Sequence, residues 1–202
     1  CNLGQAASMV ETRRTQVERS ATTRKVLIGA AVDSLVEHGW AATTTVEVCR
    51  RTGLTRGAVV HHFPSLPSLL ASALEAVYDD LIRTVVREPA TLVDAIDVTW
   101  ACIGDRRFKA VIESWLAAAN DRALAREIGP VVANFAKLVS PDGALRALTL
   151  NADARLLYLT AREAMLGLAL GRALSAGRAL PHEEAVLDEL RARAADVDGA
   201  PR

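Results

Sequence analysis

Thr43 to Leu66 reads TTTVEVCRRTGLTRGAVVHHFPSL, and this stretch decides the fold. Thr45 is placed to cap a helix, because a threonine hydroxyl accepts a bond from an orphan amide of the first turn. Val48, Cys49 and Thr52 then share one face. Gly53 follows where a helix commonly ends in the left-handed region, which costs glycine little. Leu54 plugs the turn, Thr55 caps a second helix from Arg56 to about Phe63, and Pro64 stops it. Helix, glycine turn and short capped helix are the parts of a helix-turn-helix.

The second helix offers solvent an unusual set of groups. Val59 and Phe63, four residues apart, form its inner face. Arg56, Gly57, Ala58, Val60, His61 and His62 are left outward. Small residues near the start let the backbone approach a surface. An arginine, two histidines and capping amides suit phosphate. A helical hairpin inside an all-α core produces the same spacing, so the pattern alone leaves both readings open.

Three segments of the chain resemble, in order, the DNA-binding domain of the tetracycline-repressor (TetR) family of transcriptional regulators. They are RKVLIGAAVDSLVEHGW, TTTVEVCRRTGL and TRGAVVHHFPSLPSLL, together spanning Arg24 to Leu70. The resemblance implies an all-α protein: an N-terminal three-helix helix-turn-helix DNA-binding domain, then a C-terminal helical ligand-binding and dimerisation domain. The expected division is a mobile N-terminal arm over 1–17, the DNA-binding domain over 18–66 and the ligand-binding and dimerisation domain over 67–202. Matching DNA-side positions are Thr45, Thr55, Arg56, Gly57, Ala58, Val60, His61 and His62. Arg24 and Lys25, near the start of the first helix, are expected on phosphate, and Arg13 and Arg14 can serve as a minor-groove arm. Two positions depart from the family pattern. Val60 stands where a tyrosine is common and Leu66 where a lysine is common, which removes a hydroxyl contact and a phosphate contact.

Composition agrees with a helical body. Half of the 202 residues are hydrophobic and only 4% are aromatic. That suffices for a substantial core in one large or two small domains. The net charge is zero, which excludes a general polyanion binder. The charge is uneven, however: residues 1–66 carry eight basic against five acidic residues, a net of +3. A basic front and an acidic back fit a head that meets DNA and a body that does not. The odd cysteine count, Cys1, Cys49 and Cys102, fits a reducing compartment, and no signal peptide or long apolar segment stands out, so a cytoplasmic protein without a membrane partner is expected. Met9 is read as the natural start.

Helical periodicity organises the remainder. Leu27, Ala30, Ala31, Ser34 and Leu35 make the packing stripe of a first helix from about Glu18 to His38. A fourth helix runs from Ser65 to about Arg87, and in the resembled family it passes the ligand signal to the heads. Helices follow over 91–103, 106–119 and, from Gly129-Pro130, over 131–139. The longest apolar stretch is 151–175, and a last helix runs from Pro181 to about Ala195 before a frayed tail. The segment 144–150 reads equally as helix or loop.

The last two long helices are expected to form a homodimer interface, as a four-helix bundle in the resembled family. Leu156, Thr160, Ala164, Gly167, Gly171 and Leu174 supply one helix of it, and Val186, Leu187 and Leu190 the other. Completion of the monomer core is the competing reading. Trp100, Cys102, Phe108, Trp115, Phe135, Tyr158 and Met165 come from different helices and could line an apolar effector cavity. Arg162 interrupts an apolar helix, so it is paired with a carboxylate, at an interface rim, or facing a ligand anion. Neighbouring histidines on a helix point about 100° apart and cannot easily chelate one ion, so His61 and His62 are not read as a metal site. No catalytic constellation and no cofactor are expected. The expected function is a ligand-responsive regulator, a repressor released from a palindromic double-stranded DNA operator by an unidentified small apolar or amphipathic effector. An all-α dimeric interaction scaffold that has lost sequence-specific DNA binding is the alternative.

Overall fold

The structure, a computed structural model, describes residues 3–83, 88–144, 146, 148 and 151–199; for residues 3–15, Leu138 and Ala144 it describes the backbone alone. Every regular element among the described residues is an α-helix. The chain divides into two compact units, 1–73 and 74–202. The division falls inside the fourth helix rather than at 66/67, and Ser72 of that helix takes a hydrogen bond from Arg24 in the first unit.

The first unit holds α1 (Leu3–His38), α2 (Thr45–Thr52), α3 (Arg56–His62) and the first turns of α4 (Leu66–Arg83). α1 begins at Leu3, well before Glu18. The side chains of Arg13 and Arg14 lie outside the described residues. Leu27, Ala31, Ser34 and Leu35 are buried, while Ala30 is only half-buried. Trp40 is also half-buried, less enclosed than a core position. Ser65 and Ser68 bond reciprocally, each hydroxyl taking the other's amide, and so close the first turn of α4. The expected continuation of α4 over 84–87 lies outside the described residues.

The second unit contains α5 (Leu92–Ile103), α6 (Phe108–Asn120), α7 (Arg122–Leu138), the single turn α8 (Pro141–Ala144), α9 (Ala152–Leu174) and α10 (Glu183–Asp198). Leu92 and Ile96 of α5, Tyr158 and Met165 of α9, and Leu187 and Leu190 of α10 meet in one buried cluster. Thr99 and Tyr158 share a buried hydroxyl pair, 2.9 Å apart. α7 corrects an expectation: Pro130 lies inside one continuous helix instead of starting a new one. Proline removes one ladder bond. Two features outweigh that loss. Asp121 caps both Ala123 and Leu124 amides at 2.8 and 3.1 Å, and Leu124, Ile128 and Phe135 keep a single buried face across the proline.

The end of α10 also differs from the frayed tail expected from Asp196. The Asp198 carboxylate accepts the Leu92 amide at 3.0 and 3.1 Å and the Val93 amide at 3.3 Å. A carboxylate at a helix N-terminus satisfies orphan donors and favours the helix dipole. Most of 145–150 lies outside the described residues, so the reading of 144–150 stays open. No helix among the described residues is long and apolar enough to cross a membrane.

Candidate nucleic-acid interface and internal cavity

The helix-turn-helix is built from local bonds. The N-cap of α2 is Thr44, whose hydroxyl takes the Glu47 amide at 3.2 Å. This corrects the placement at Thr45, which is the first helical residue and is half-buried. Three successive threonines make the register ambiguous by one residue, and backbone geometry decides it. Gly53 sits at φ 69°, the left-handed region, and closes α2 through its amide to Cys49 at 2.9 Å. Thr55 caps α3 as expected, taking the Ala58 amide at 3.2 Å.

α3 is anchored by Val59, with Phe63 buried just past its end. Thr55, Arg56, Gly57, Val60 and His61 are exposed, and Ala58 and His62 are half-buried. Val60 is 61% exposed, a branched aliphatic side chain on the same outward face. The His61 and His62 rings meet edge to face, with centroids 5.0 Å apart. Among the described residues there is no group of three or more His, Cys, Asp or Glu that could hold a metal ion.

Arg24 is placed differently from a phosphate ligand. Its guanidinium donates to the His62 carbonyl at 3.0 Å and the Ser72 hydroxyl at 3.2 Å, and lies 4.1 Å from the centroid of Phe63. Its fork is therefore engaged at the C-terminal end of α3. Lys25 is exposed. Arg50 and Arg51 are not free cations either: both bond Glu47, and Arg51 also reaches Glu37 on α1 at 2.7 Å. Those bonds hold the Glu47 carboxyl down at about 2 and lower Glu37.

In the second unit, Phe108, Trp115, Phe135 and Arg162 come together around a cavity of about 180 Å³, with Ile103, Ala136, Val139 and Leu166 completing the wall. The other expected lining residues do not reach it. Tyr158 and Met165 are fully enclosed in the core. Cys102 is buried, and its burial pushes the thiol up to about 12. Trp100 packs against the core and under the Arg172 guanidinium, 4.9 Å from its ring. Periodicity marks all of these as inward-facing; which inward face borders a void depends on how the helices pair. Two walls of the cavity bear on α4 within the same unit: Trp115 Nε1 donates to the Tyr78 hydroxyl at 3.0 Å, and Tyr78 stacks on Phe135 with centroids 4.2 Å apart.

Arg172 was not singled out by sequence. It pairs through two nitrogens with the buried Glu183, and donates to the Gly104 carbonyl at 2.8 Å. Its signal was an arginine late in an apolar helix, eleven residues before a glutamate.

The expected interface residues separate into two groups. Leu156, Thr160, Gly167 and Leu174 are exposed, together with Glu163 and Leu170, at alternating spacings of four and three along α9. Leu187 and Leu190 lie in the chain's own core, and Ala164 and Val186 pack against it. Gly171 abuts Leu180. For these five residues the structure supports completion of the monomer core.

Residues 27–73 match the family model of bacterial regulatory proteins, tetR family. The chain is 36% identical over 93 residues to the HTH-type transcriptional regulator CymR of Pseudomonas putida; the match covers 46% of each chain. It therefore spans about half the length of the curated relatives it matches. Over a longer span, the fold is that of a transcriptional regulator from Rhodococcus sp. Rha1, at 22% identity and TM-score 0.67, covering 88% of this chain and 99% of that one. A multidrug binding protein, EbrR, solved with imidazole, shares the fold at 22% identity and TM-score 0.63, covering 89% and 96%.

Proposed function

From a chain whose residues 27–73 belong to the tetR family of bacterial regulatory proteins, we infer a ligand-responsive DNA-binding transcriptional regulator that acts in the cytoplasm and is not an enzyme. One observation carries the reading. α3 is held by one buried valine and turns Thr55, Arg56, Gly57, Val60 and His61 outward. Such a helix has no core role for its outer face, and its donors and small groups suit a phosphate-lined groove.

The dimer forms through the exposed α9 stripe, and two α3 helices read half-sites about 34–36 Å apart, one turn of DNA. Without effector the dimer holds a palindromic operator and represses. The effector enters the cavity of the second unit. Trp115 and Phe135 then press on Tyr78 of α4, which continues into the head. Binding favours whichever state holds the ligand better, and that difference is the coupling. The ligand-bound EbrR structure supports an effector in this fold.

Selection of DNA from a random pool, followed by anisotropy titration at several salt concentrations, tests the reading. The expected result is a palindrome bound with steep salt dependence. No enriched sequence and flat, weak binding would favour the interaction scaffold instead.

A further inference from the structure

The cavity in the second unit selects its occupant by surface and by charge. Its volume is about 180 Å³. An apolar cavity of about 150 Å³ holds one benzene ring, and drug-sized ligands occupy about 300 Å³ or more. The space is half-open; its walled part seats a single ring, and a substituent can extend through the open side. Phe108, Trp115 and Phe135 give it aromatic walls, and Phe108 and Trp115 meet edge to face with centroids 5.7 Å apart. Such walls take a further ring in an offset or edge-on arrangement.

Among the described lining residues, Arg162 alone is charged. Its Nε and Nη2 both donate to a single oxygen of Glu163, at 3.1 and 2.6 Å. Glu163 is the next residue along α9, is exposed and is not part of the wall. Arg162 Nη1 takes no part in that pair, so three of the five guanidinium donors, two of them on Nη1, are not spent on Glu163. An ion pair to a solvent-exposed carboxylate is weak, whereas a carboxylate in an apolar cavity gains a charge-assisted bond. A cationic ligand would meet the guanidinium on the wall, while the carboxylate paired with it lies outside the cavity.

We propose that this cavity binds a small apolar monoanion, a single ring bearing one carboxylate, with Arg162 as its anchor. The assignment rests on the reading of the chain as an effector-controlled regulator and names the chemistry of that effector.

Calorimetric titration of the full chain with benzoate, benzamide and benzylammonium tests it, because the three share a ring and differ in charge. Benzoate is expected to bind at least tenfold tighter than benzamide, and benzylammonium not measurably. Arg162→Gln should bring benzoate down to the benzamide level and leave benzamide unchanged. Glu163→Gln, which removes the competing carboxylate and spares the anchor, should tighten benzoate. Equal binding of benzoate and benzamide, preference for benzylammonium, binding of none of the three, or unchanged benzoate affinity in folded Arg162→Gln overturns the assignment. Operator binding measured in parallel separates the two levels. A chain that binds its selected DNA and ignores benzoate refutes the anion site alone. A chain that binds benzoate through Arg162 and enriches no DNA sequence refutes the regulator reading and keeps the site.

Discussion

The Arg24 guanidinium covers the face of Phe63 at 4.1 Å while donating to the His62 carbonyl. The two residues join α1 to the exit of α3, so the end of the candidate recognition helix is held by a cation rather than by apolar packing alone. Arg24→Ala should lower unfolding stability by about 1–2 kcal/mol, from one exposed cation–π contact and the lost bonds. Arg24→Lys keeps the charge but not the fork. It is expected to restore little of the stability or DNA affinity, whereas a phosphate contact would survive the exchange. Thermal melts and anisotropy on both variants decide the matter.

Arg56 is exposed at the start of α3. Arg56→Ala should weaken operator binding by about 1–3 kcal/mol and leave the melting temperature unchanged. Leu66→Lys should act in the other direction, steepening the plot of log affinity against log salt by about one unit of slope. An unaltered slope would mean that the start of α4 does not approach phosphate.

Glu47 links pH to the head. Hydrogen bonds from Arg50 and Arg51 hold its folded value at about 2, below the ordinary 4.5. Its stabilising contribution is therefore complete above pH 4.5 and is lost as pH falls through that value toward 2. Urea unfolding between pH 6 and pH 3 should show a loss of stability that Glu47→Gln reduces. Glu37, also lowered by Arg51, adds to the slope in the same direction.

Gly104 leaves no room for a side chain. A Cβ there would lie 2.8 Å from both the Trp100 ring and the Trp100 carbonyl, and the Gly104 carbonyl is held by Arg172. Gly104→Ala should destabilise the second unit by about 1–3 kcal/mol through overpacking. A red shift of tryptophan emission in the folded state is the accompanying sign.

The α9 stripe can be tested without disturbing the core. Leu174 is 82% exposed, so Leu174→Glu has no buried contact to break within the chain. It should convert the proposed dimer to a monomer in light scattering and leave helical content intact. A variant that stays dimeric would move the interface elsewhere.

The head was legible because its determinants are local. Thr55, Gly53, Val59 and Phe63 lie within eleven residues of one another, and each acts on the backbone next to it. Even there a one-residue error at Thr44 and Thr45 survived, since adjacent threonines cap equally well on paper. In the body, periodicity identified Phe108, Trp115, Phe135, Tyr158 and Met165 as inward-facing. It could not tell those bordering a void from those filling the core.

Sequence by itself determined the all-helical class, the helix-turn-helix and its outward face, because a 3.6-residue period, a cap and a glycine turn are properties of short segments. Tertiary structure alone decided the partners. It placed Arg24 on His62, 38 residues away, and Asp198 on Leu92, 106 residues away. It sent Leu187 and Leu190 into the core, left Leu156 and Leu174 outside, and set Arg162 on a cavity wall. A helix's own sequence specifies which face is apolar; what that face meets depends on segments far along the chain, whose contacts form only when the helices pack.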